Sequence, residues 1–438
     1  MKLSLAALLV FACLSAPAAA LGSPPKPLPN PDRPAATPVF RESPGASVSA
    51  NRACSTMRAL ARRGNRAVGL RVFNLRSRKN VCTLNAGAKR SLASNTKLFT
   101  TATVLDRFDR DHAFRTRVFA AGRIRNGVLN GNLYLKGGGD PSFGTSAFLN
   151  AYLAGEGTSV DRLALQIKRR GINRITGRVF ADDGIFDRLR GVADSGYATS
   201  TWIGPLSGLS FNAGFTSARM TRFSSNPPRL AARTLARELR ARGVDVKPAV
   251  GLRRTPKRLL DRPLVVQESP GMPWMARVTN LNSVNFWAEM LLKDLGAYIR
   301  GKGSTAEGAK VVRRTMAAFG VKVWPIDGSG LTFGNRSTAN DVVKLLVRAR
   351  AKPWARDFLV SLPTAGVDGT LASRMRGSAA ENNCHAKTGT LTGVTTLSGY
   401  CFNSSGRRYA FSILMNRVTN LSAARAAQDR IAAMIARL

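Results

Sequence analysis

The fold is decided by the stretch Ser91-Leu-Ala-Ser-Asn-Thr-Lys-Leu-Phe-Thr-Thr-Ala-Thr-Val-Leu105, which joins a reactive motif to the start of a helix. From Leu98 onward the apolar residues recur at helical spacing, so the pattern predicts that Ser94 and Lys97 lie one turn apart near a helix N-terminus. A buried lysine can take the proton of a nearby serine hydroxyl, because burial disfavours the charged amine. The same residues also fit a solvated turn of a surface helix, so an activated nucleophile needs partners elsewhere in the chain.

A first candidate partner is Asn282-Ser-Val-Asn285, which stands just before another helical pattern. Ser283 and Asn285 offer a hydroxyl and an amide two residues apart, a pair that can relay a proton and hold a substrate carbonyl. The alternative interpretation is an ordinary helix N-cap.

A second candidate partner is the run Cys384-His-Ala-Lys-Thr-Gly-Thr-Leu391, which predicts a strand. Lys387, Thr388 and Thr390 could bind a carboxylate through a cationic amine and hydroxyl groups. Gly389 has no side chain, so another backbone segment can approach the strand edge closely there. Alone, Lys-Thr-Gly is also common in turns.

A chain of 438 residues is too long for one ordinary hydrophobic core, and the spacing of its apolar residues changes along the sequence. Hydrophobic residues make up 44% and charged residues 21%, as in a globular protein with a sizeable interior. Short apolar runs separated by Gly, Asn and Asp indicate a mostly β insertion at 115–261. The predicted division is a signal peptide at 1–20, a Pro-rich linker at 21–50, and one domain built from 51–114 and 262–438.

The N-terminus predicts export. Residues 1–20 combine a basic start, a short apolar core and an Ala-x-Ala cleavage pattern. An uncleaved anchor or lipidation at Cys13 are the alternatives, but the apolar core is short for a membrane span. We therefore expect the mature protein in the periplasm or the extracellular cell-wall space.

The remaining cysteines are Cys54, Cys82, Cys384 and Cys401, an even number in an oxidising compartment. Cys384 and Cys401 flank a hairpin predicted at Thr392-Gly393, so a cross-strand disulfide is the first choice, which leaves Cys54 with Cys82. Free buried thiols are the alternative. A zinc site is disfavoured, because the chain has only two histidines and no Cys-x-x-Cys.

A formal net charge of +42 predicts attraction to polyanions. Nucleic acid is disfavoured as the partner, because the basic residues are spread along the chain and aromatic residues are only 7%. An exported protein meets anionic cell-wall polymers and lipid head groups first. The alternative is a compositional bias towards arginine that merely keeps the surface solvated.

Together, the three motifs indicate a function that none of them indicates alone. Ser-x-x-Lys at Ser94, Ser-x-Asn at Ser283 and Lys-Thr-Gly at Lys387 follow one another in the order of penicillin-binding proteins and serine β-lactamases. The chain resembles the D-alanyl-D-alanine carboxypeptidase/endopeptidase family of low-molecular-mass penicillin-binding proteins, peptidase S13, because the whole insertion separates Ser94 from Ser283. The similarity extends to Leu135-Lys-Gly-Gly-Gly-Asp-Pro141, Asp327-Gly-Ser-Gly-Leu331 and Leu362-Pro-Thr-Ala-Gly-Val-Asp-Gly-Thr-Leu371.

The resemblance implies an α/β fold with a transpeptidase-like five-stranded antiparallel sheet flanked by helices and with extra domains inserted after the Ser94 helix. It also implies catalytic roles. Ser94 would attack the carbonyl between two D-alanines and Lys97 would accept its proton. Ser283, with Lys387, would pass a proton to the leaving amine.

The resemblance further implies how the substrate is held. Asn285 would hold the amide side of the peptide, and backbone N–H groups of Ser94 and Thr390 would form the oxyanion hole. Lys387, Thr388 and Thr390 would orient the terminal carboxylate along the strand that contains Gly389. No metal or organic cofactor would be required, and β-lactams would act as acylating inhibitors.

Two alternatives stay open at this point. One is a β-lactamase or esterase of the same fold, which would release its acyl group faster than a peptidase does. The other is a non-catalytic, basic wall-binding or nucleic-acid-binding module, whose binding would fall with salt and would not depend on Ser94.

Overall fold

The structure is a computed structural model that describes residues 50–403 and 405–438. The predicted signal peptide at 1–20 and nearly all of the predicted linker at 21–50 lie outside the described residues. No helix within the described part of the chain is long and apolar enough to cross a membrane.

An antiparallel sheet that contains five of the described strands forms the centre of the fold, as expected. In their order across the sheet the strands are β13 (Cys384–Leu391), β14 (Val394–Phe402), β15 (Arg408–Asn416), β1 (Val68–Asn74) and β2 (Lys79–Leu84). The outermost strand, β13, is therefore an edge strand with one side open to other parts of the chain.

Helices cover both faces of this sheet because both faces are apolar. On one face α1 (Ala50–Gly64) and α11 (Leu421–Ile435) share a core with β15. On the other face α2 (Thr96–Arg107) and α9 (Ala339–Ala349) share a core with β14 and β15. Helix α9 is capped by Thr338, whose hydroxyl accepts a hydrogen bond from the backbone N–H of Asp341.

Further helices pack around α2 and complete this body of the protein. They are α6 (Met272–Leu281), α7 (Asn285–Arg300), α8 (Thr305–Ala318) and α10 (Ala355–Ser361). A small antiparallel sheet leads the chain towards Ser94 and consists of β3 (Arg90–Ser91), β12 (Arg336–Ser337) and β11 (Val323–Trp324).

The region between α2 and α6 has a separate sheet and its own hydrophobic core. Its strands are β4 (Arg115–Arg125), β5 (Val128–Lys136), β6 (Arg174–Ile175), β7 (Val179–Asp182), β8 (Asp245–Val246), β9 (Val250–Leu252) and β10 (Val265–Glu268). Its helices are α3 (Ser146–Tyr152), α4 (Val160–Arg169) and α5 (Pro227–Ala241). Strand β5 pairs in parallel with β6 and β7, so the region needs helical crossovers as well as hairpins.

The last strand of this inserted sheet bears on the predicted domain boundary. Strand β10 pairs with β4 at Val265↔Val118 to Glu268↔Arg115, beyond the boundary that the sequence predicts at residue 261. The division into domains stays a prediction, and this pairing supports placing the end of the insertion after Glu268.

Both predicted disulfides are present. Cys54 bonds to Cys82, and Cys384 bonds to Cys401 across β13 and β14. The two strands pair from Cys384↔Cys401 to Leu391↔Val394, which leaves Thr392-Gly393 as the predicted turn. Gly393 has a φ of 69°, a left-handed conformation that glycine adopts without steric cost.

Candidate active site

Ser94 lies on a tight turn just before α2. A short 3₁₀ helix spans Ala93–Asn95, and α2 continues from Thr96. Ala93 has a φ of 45°, in a left-handed region that costs a residue with a Cβ atom about 1 kcal/mol. This turn leaves the Ser94 side chain partly exposed while Lys97, one turn further on, is fully buried.

The Lys97 amine contacts three acceptors. Its Nζ atom is 3.0 Å from Ser94 Oγ, 2.7 Å from Asn285 Oδ1 and 2.7 Å from the carbonyl oxygen of Ser329. A neutral amine has two N–H bonds and one lone pair. If Asn285 and Ser329 accept the two N–H bonds, the lone pair is left for the Ser94 hydroxyl, so this arrangement can deprotonate the serine.

Two buried carboxylates stand behind this amine. Burial lowers the pKa of Lys97 to about 7, although the charges of Glu289 and Asp327 act in the opposite direction. Burial, followed by the charge of Asp327, raises the pKa of Glu289 to about 8. Burial also raises the pKa of Asp327. The amine can therefore change its charge near neutral pH, which a general base must do.

The same carboxylates hold the loop that faces Lys97. Glu289 accepts hydrogen bonds from the N–H groups of Gly328, at 3.1 Å, and Ser329, at 2.7 Å. Asp327 accepts from the backbone of Gly330 at 2.7 Å and from that of Thr332, also at 2.7 Å. Asp327 therefore holds the N–H group of the Ser329–Gly330 peptide, whose carbonyl binds the Lys97 amine. Glu289 holds the two peptides that precede it.

Ser283 and Asn285 enter the site from the start of α7. Ser283 has a φ of 58°, an unusual conformation for a residue other than glycine and one that often occurs at functional sites. Asn285 is the first residue of α7, and its Nδ2 atom donates to the carbonyl of Trp202 at 3.2 Å. The amide therefore joins Lys97 to the inserted region.

Strand β13 forms the opposite wall. Asn95 Nδ2 donates to the carbonyl of Lys387 at 2.9 Å and ties this strand to the Ser94 turn. A Cβ atom at Gly389 would lie 2.9 Å from the backbone nitrogen of Ser94 and would meet the Thr396 hydroxyl. Only glycine allows the strand to approach this closely, as the sequence predicts.

The other residues of this strand differ in exposure. Lys387 is fully buried, and its Nζ atom donates to the carbonyl of Thr388 at 2.9 Å. Burial, and then the charge of Lys97, holds the pKa of Lys387 well below its usual value. Thr388 donates its hydroxyl to Thr370 Oγ1 at 2.8 Å, and Thr390 is exposed.

All of these walls surround a cleft of about 950 Å³. Of the residues predicted from the sequence, Ser94, Ser283, Asn285, Thr388, Gly389 and Thr390 line it. Lys97 and Lys387 lie buried behind its surface. Within the described residues, no group of three or more His, Cys, Asp or Glu side chains is arranged to hold a metal ion.

Some residues of the site are not among those predicted from the sequence. Trp202 from the inserted region lines the cleft with 51% of its surface exposed. Arg425 on α11 donates from its guanidinium to Thr390 Oγ1 at 3.1 Å. Asp327 and Thr370 lie in two stretches, 327–331 and 362–371, that resemble the family. The sequence could therefore have indicated both residues. Trp202 and Arg425 are in no such stretch.

Solved structures with a similar backbone show which class of protein has this fold. Penicillin-binding protein 4 (DacB) of Haemophilus influenzae is 19% identical, with a TM-score of 0.72 over 86% of this chain and 97% of that chain. The same protein in complex with a β-lactam gives a TM-score of 0.67 at 19% identity over 89% and 98% of the two chains. The fold is that of a penicillin-binding protein.

Sequence comparison narrows this class to one family. The profile of the D-Ala-D-Ala carboxypeptidase 3 (S13) family matches residues 57–225 and 214–438. The D-alanyl-D-alanine carboxypeptidase of Actinomadura sp. (strain R39) is 31% identical over 430 residues, which cover 78% of this chain and 76% of that protein. The chain belongs to the S13 family of D-Ala-D-Ala carboxypeptidases, and the family expected from the sequence is confirmed.

Proposed function

We propose that this D-Ala-D-Ala carboxypeptidase cleaves stem peptides of peptidoglycan through an acyl-enzyme on Ser94. The observation that carries the proposal is the set of contacts at Lys97 Nζ, which is 3.0 Å from Ser94 Oγ and 2.7 Å from Asn285 Oδ1 beside an open cleft. A nucleophile, a base and an orienting amide are thereby within hydrogen-bond reach of one another.

In the first step, Ser94 Oγ attacks the carbonyl carbon of the peptide bond between two D-alanines. The neutral amine of Lys97 takes the hydroxyl proton as the new C–O bond forms. Negative charge then develops on the carbonyl oxygen. The backbone N–H groups of Ser94 and Thr390 are proposed to stabilise this charge, since Gly389 brings the strand against the Ser94 turn.

In the second step, the C–N bond breaks and the leaving amine of D-alanine needs a proton. Lys97 holds the proton that came from Ser94, and Ser283 is proposed to pass it to the amine with Lys387 nearby. Water then attacks the ester on Ser94, which releases the shortened peptide and restores the hydroxyl proton.

The substrate is held by the two sides of the cleft. Lys387, Thr388 and Thr390 are proposed to receive the terminal carboxylate, and Asn285 the peptide amide. Arg425 adds a positive charge at Thr390, which favours a ligand with a free carboxylate. β-Lactams that carry a carboxylate fit the same requirement, so we also propose that they acylate Ser94.

The cellular setting is part of the proposal. Peptidoglycan lies outside the cytoplasmic membrane, so the substrate agrees with export by residues 1–20. The charge of +42 is proposed to favour anionic partners in that compartment.

Labelling with a fluorescent penicillin tests this function. We expect the wild-type protein to form a stable covalent adduct and S94A to form none. S373A is the matched control, because Ser373 lines the same cleft but lies outside the three motifs, and it should label as the wild type does. Release of D-alanine from a stem pentapeptide and cleavage of a cross-linked dimer, both lost in S94A, would define the substrates.

Two results would contradict the proposal. Labelling that persists in S94A would place the nucleophile elsewhere. If the wild type instead loses its label as fast as a β-lactamase turns over its substrate, the protein would be a β-lactamase of the same fold. The three motifs alone do not exclude that alternative.

A further inference from the structure

A second concave surface lies at the end of the central sheet, away from the catalytic cleft. This groove has a volume of about 630 Å³ and shares no lining residue with the cleft. Three separate chain segments form it: the turn after β1, the end of α9 and the start of β15. We call it the arginine groove because it is lined by Arg76, Arg78, Arg348, Arg350 and Arg408.

The charges in this groove have no carboxylate partner within the described protein. None of the five arginines forms an ion pair with a described carboxylate, and no described Asp or Glu lines the groove. Other arginines do find partners, as Arg374 does with Asp429 at 2.6 Å. Like charges gathered around one groove repel each other, and a bound anion removes that repulsion.

The chemistry of the groove favours phosphate. A guanidinium presents two parallel N–H groups that match two oxygens of a phosphate, and it remains charged at every physiological pH. Four of the five arginines are exposed, whereas Arg350 is half-buried, so most of them can turn towards a ligand. Helix α9 has its C-terminus here, and that end of a helix favours the cationic side chains at Arg348 and Arg350.

The floor of the groove is apolar. Phe73, Leu75 and Val347 line it and are only partly exposed. A membrane-binding surface instead needs apolar side chains that protrude beyond the charges and enter the lipid. A concave surface with the charges at its rim and the apolar residues below fits a polymer strand that lies in the groove.

We propose that the arginine groove binds a phosphodiester-linked polymer of the cell envelope, with the phosphates on the guanidinium groups and the carbon backbone over the apolar floor. Binding there would leave the catalytic cleft open. It would hold the enzyme close to its substrate by raising the effective concentration. The inference does not depend on the catalytic role of Ser94.

Binding of a fluorescent poly(glycerol phosphate) oligomer at 0.15 M salt, about the physiological ionic strength, tests the proposal. The variant R76Q/R348Q/R408Q removes three charges from the groove. R125Q/R169Q/R233Q removes three charges from exposed arginines of the inserted region that have no ion pair with a described residue, so the net charge is the same in both. We expect the groove variant to lose about tenfold or more in affinity and the control to lose less than about threefold.

Three outcomes would overturn the proposal: equal losses in both variants, no loss in the groove variant, or a groove-specific loss with phosphatidylglycerol vesicles but not with the polymer. Equal losses would mean that only total charge matters, and the vesicle result would mean that a lipid is the ligand. Penicillin labelling of Ser94 at the wild-type rate verifies that the groove variant is folded. If the triple variant does not fold, R76Q/R408Q changes one residue in the turn after β1 and one at the start of β15 and tests the same expectation. S94A should bind the polymer as the wild type does, which separates this proposal from the catalytic one.

Discussion

Lys97 and Lys387 are both fully buried beside one cleft, yet they have different surroundings. Lys97 contacts three acceptors. Burial lowers its pKa to about 7, and the charges of Glu289 and Asp327 partly offset that burial. Lys387 contacts the carbonyl of Thr388. Its burial, and then the charge of Lys97, holds its pKa well below the usual value. Burial alone does not make a lysine a switchable base. Nearby carboxylates must partly offset it.

This difference suggests a division of labour. An amine with a pKa near neutrality can accept and release a proton in each turnover, as the base of Ser94 must. For Lys387, burial and the charge of Lys97 both disfavour the charged form. A substrate carboxylate beside Lys387 would favour its charged form, so ligand binding is expected to raise the pKa of this lysine.

The variant K97M gives the strongest test of the difference between Lys97 and Lys387. Methionine keeps the length of the side chain but has no amine, so Ser94 loses its base. We expect the rate of acylation by a fluorescent penicillin to fall by about a thousandfold. K247M removes an exposed lysine of the inserted region as the charge-matched control and should leave the rate unchanged. A K97M rate within tenfold of the wild type would show that another group takes the proton.

K387M should have a smaller effect of a different kind. The variant loses a charge-assisted bond to the ligand carboxylate, and we expect about a thirtyfold loss, mainly in KM. The rise of the acylation rate with pH should keep its midpoint near 7, because that midpoint belongs to Lys97. A midpoint that moves by more than one pH unit in K387M would mean that the two lysines have exchanged roles.

The reactive residues could be predicted from the sequence better than the residues that set their pKa values. Ser94 and Lys97 follow from helical spacing, and the Cys384–Cys401 hairpin follows from a two-residue turn, because both depend on local geometry. The convergence of the motifs follows from the family resemblance. Glu289 could not be predicted in this way, because a glutamate within a helical pattern is normally solvated and its burial depends on tertiary packing.

The inserted region shows the same limit at the level of the fold. Its alternating apolar runs predict strands, and strands are found. The parallel pairing of β5 with β6 and β7 depends on contacts between residues more than 40 positions apart, which no local pattern records. Trp202 reaches Asn285 by the same kind of long-range packing.

The comparison between the lysines can be sharpened by neutralising the carboxylates behind Lys97. Acylation needs the neutral amine, so the rate rises as the pH increases through the pKa of Lys97. When ionised, Glu289 raises that pKa through its negative charge, and Asp327 does so less strongly. Because the pKa of Glu289 is itself raised to about 8, this carboxyl is only partly ionised near the midpoint. E289Q should therefore move the midpoint of the pH profile to lower pH by less than about one unit, and D327N should move it in the same direction.

A matched control distinguishes this electrostatic effect from a general loss of charge. Glu307 on α8 pairs with Arg300 and Lys310, and E307Q should leave the midpoint in place. E289Q keeps Oε1, the oxygen that accepts from both Gly328 and Ser329, so the loop that faces Lys97 should stay in place. A midpoint that moves to higher pH would contradict the role assigned to Glu289.

The smallest effect is expected on the Lys387 side of the cleft, at Arg425. This guanidinium is partly exposed and contacts the hydroxyl of Thr390, where solvent weakens its interaction with a ligand carboxylate. R425Q should raise KM by about threefold for a peptide with a free carboxylate and leave it unchanged for the corresponding C-terminal amide. R430Q removes the same charge from an exposed position on the same helix and should change neither. An equal effect on the acid and the amide would assign Arg425 to the packing of β13 against α11, and Lys387 with its two threonines would then be sufficient to recognise the carboxylate.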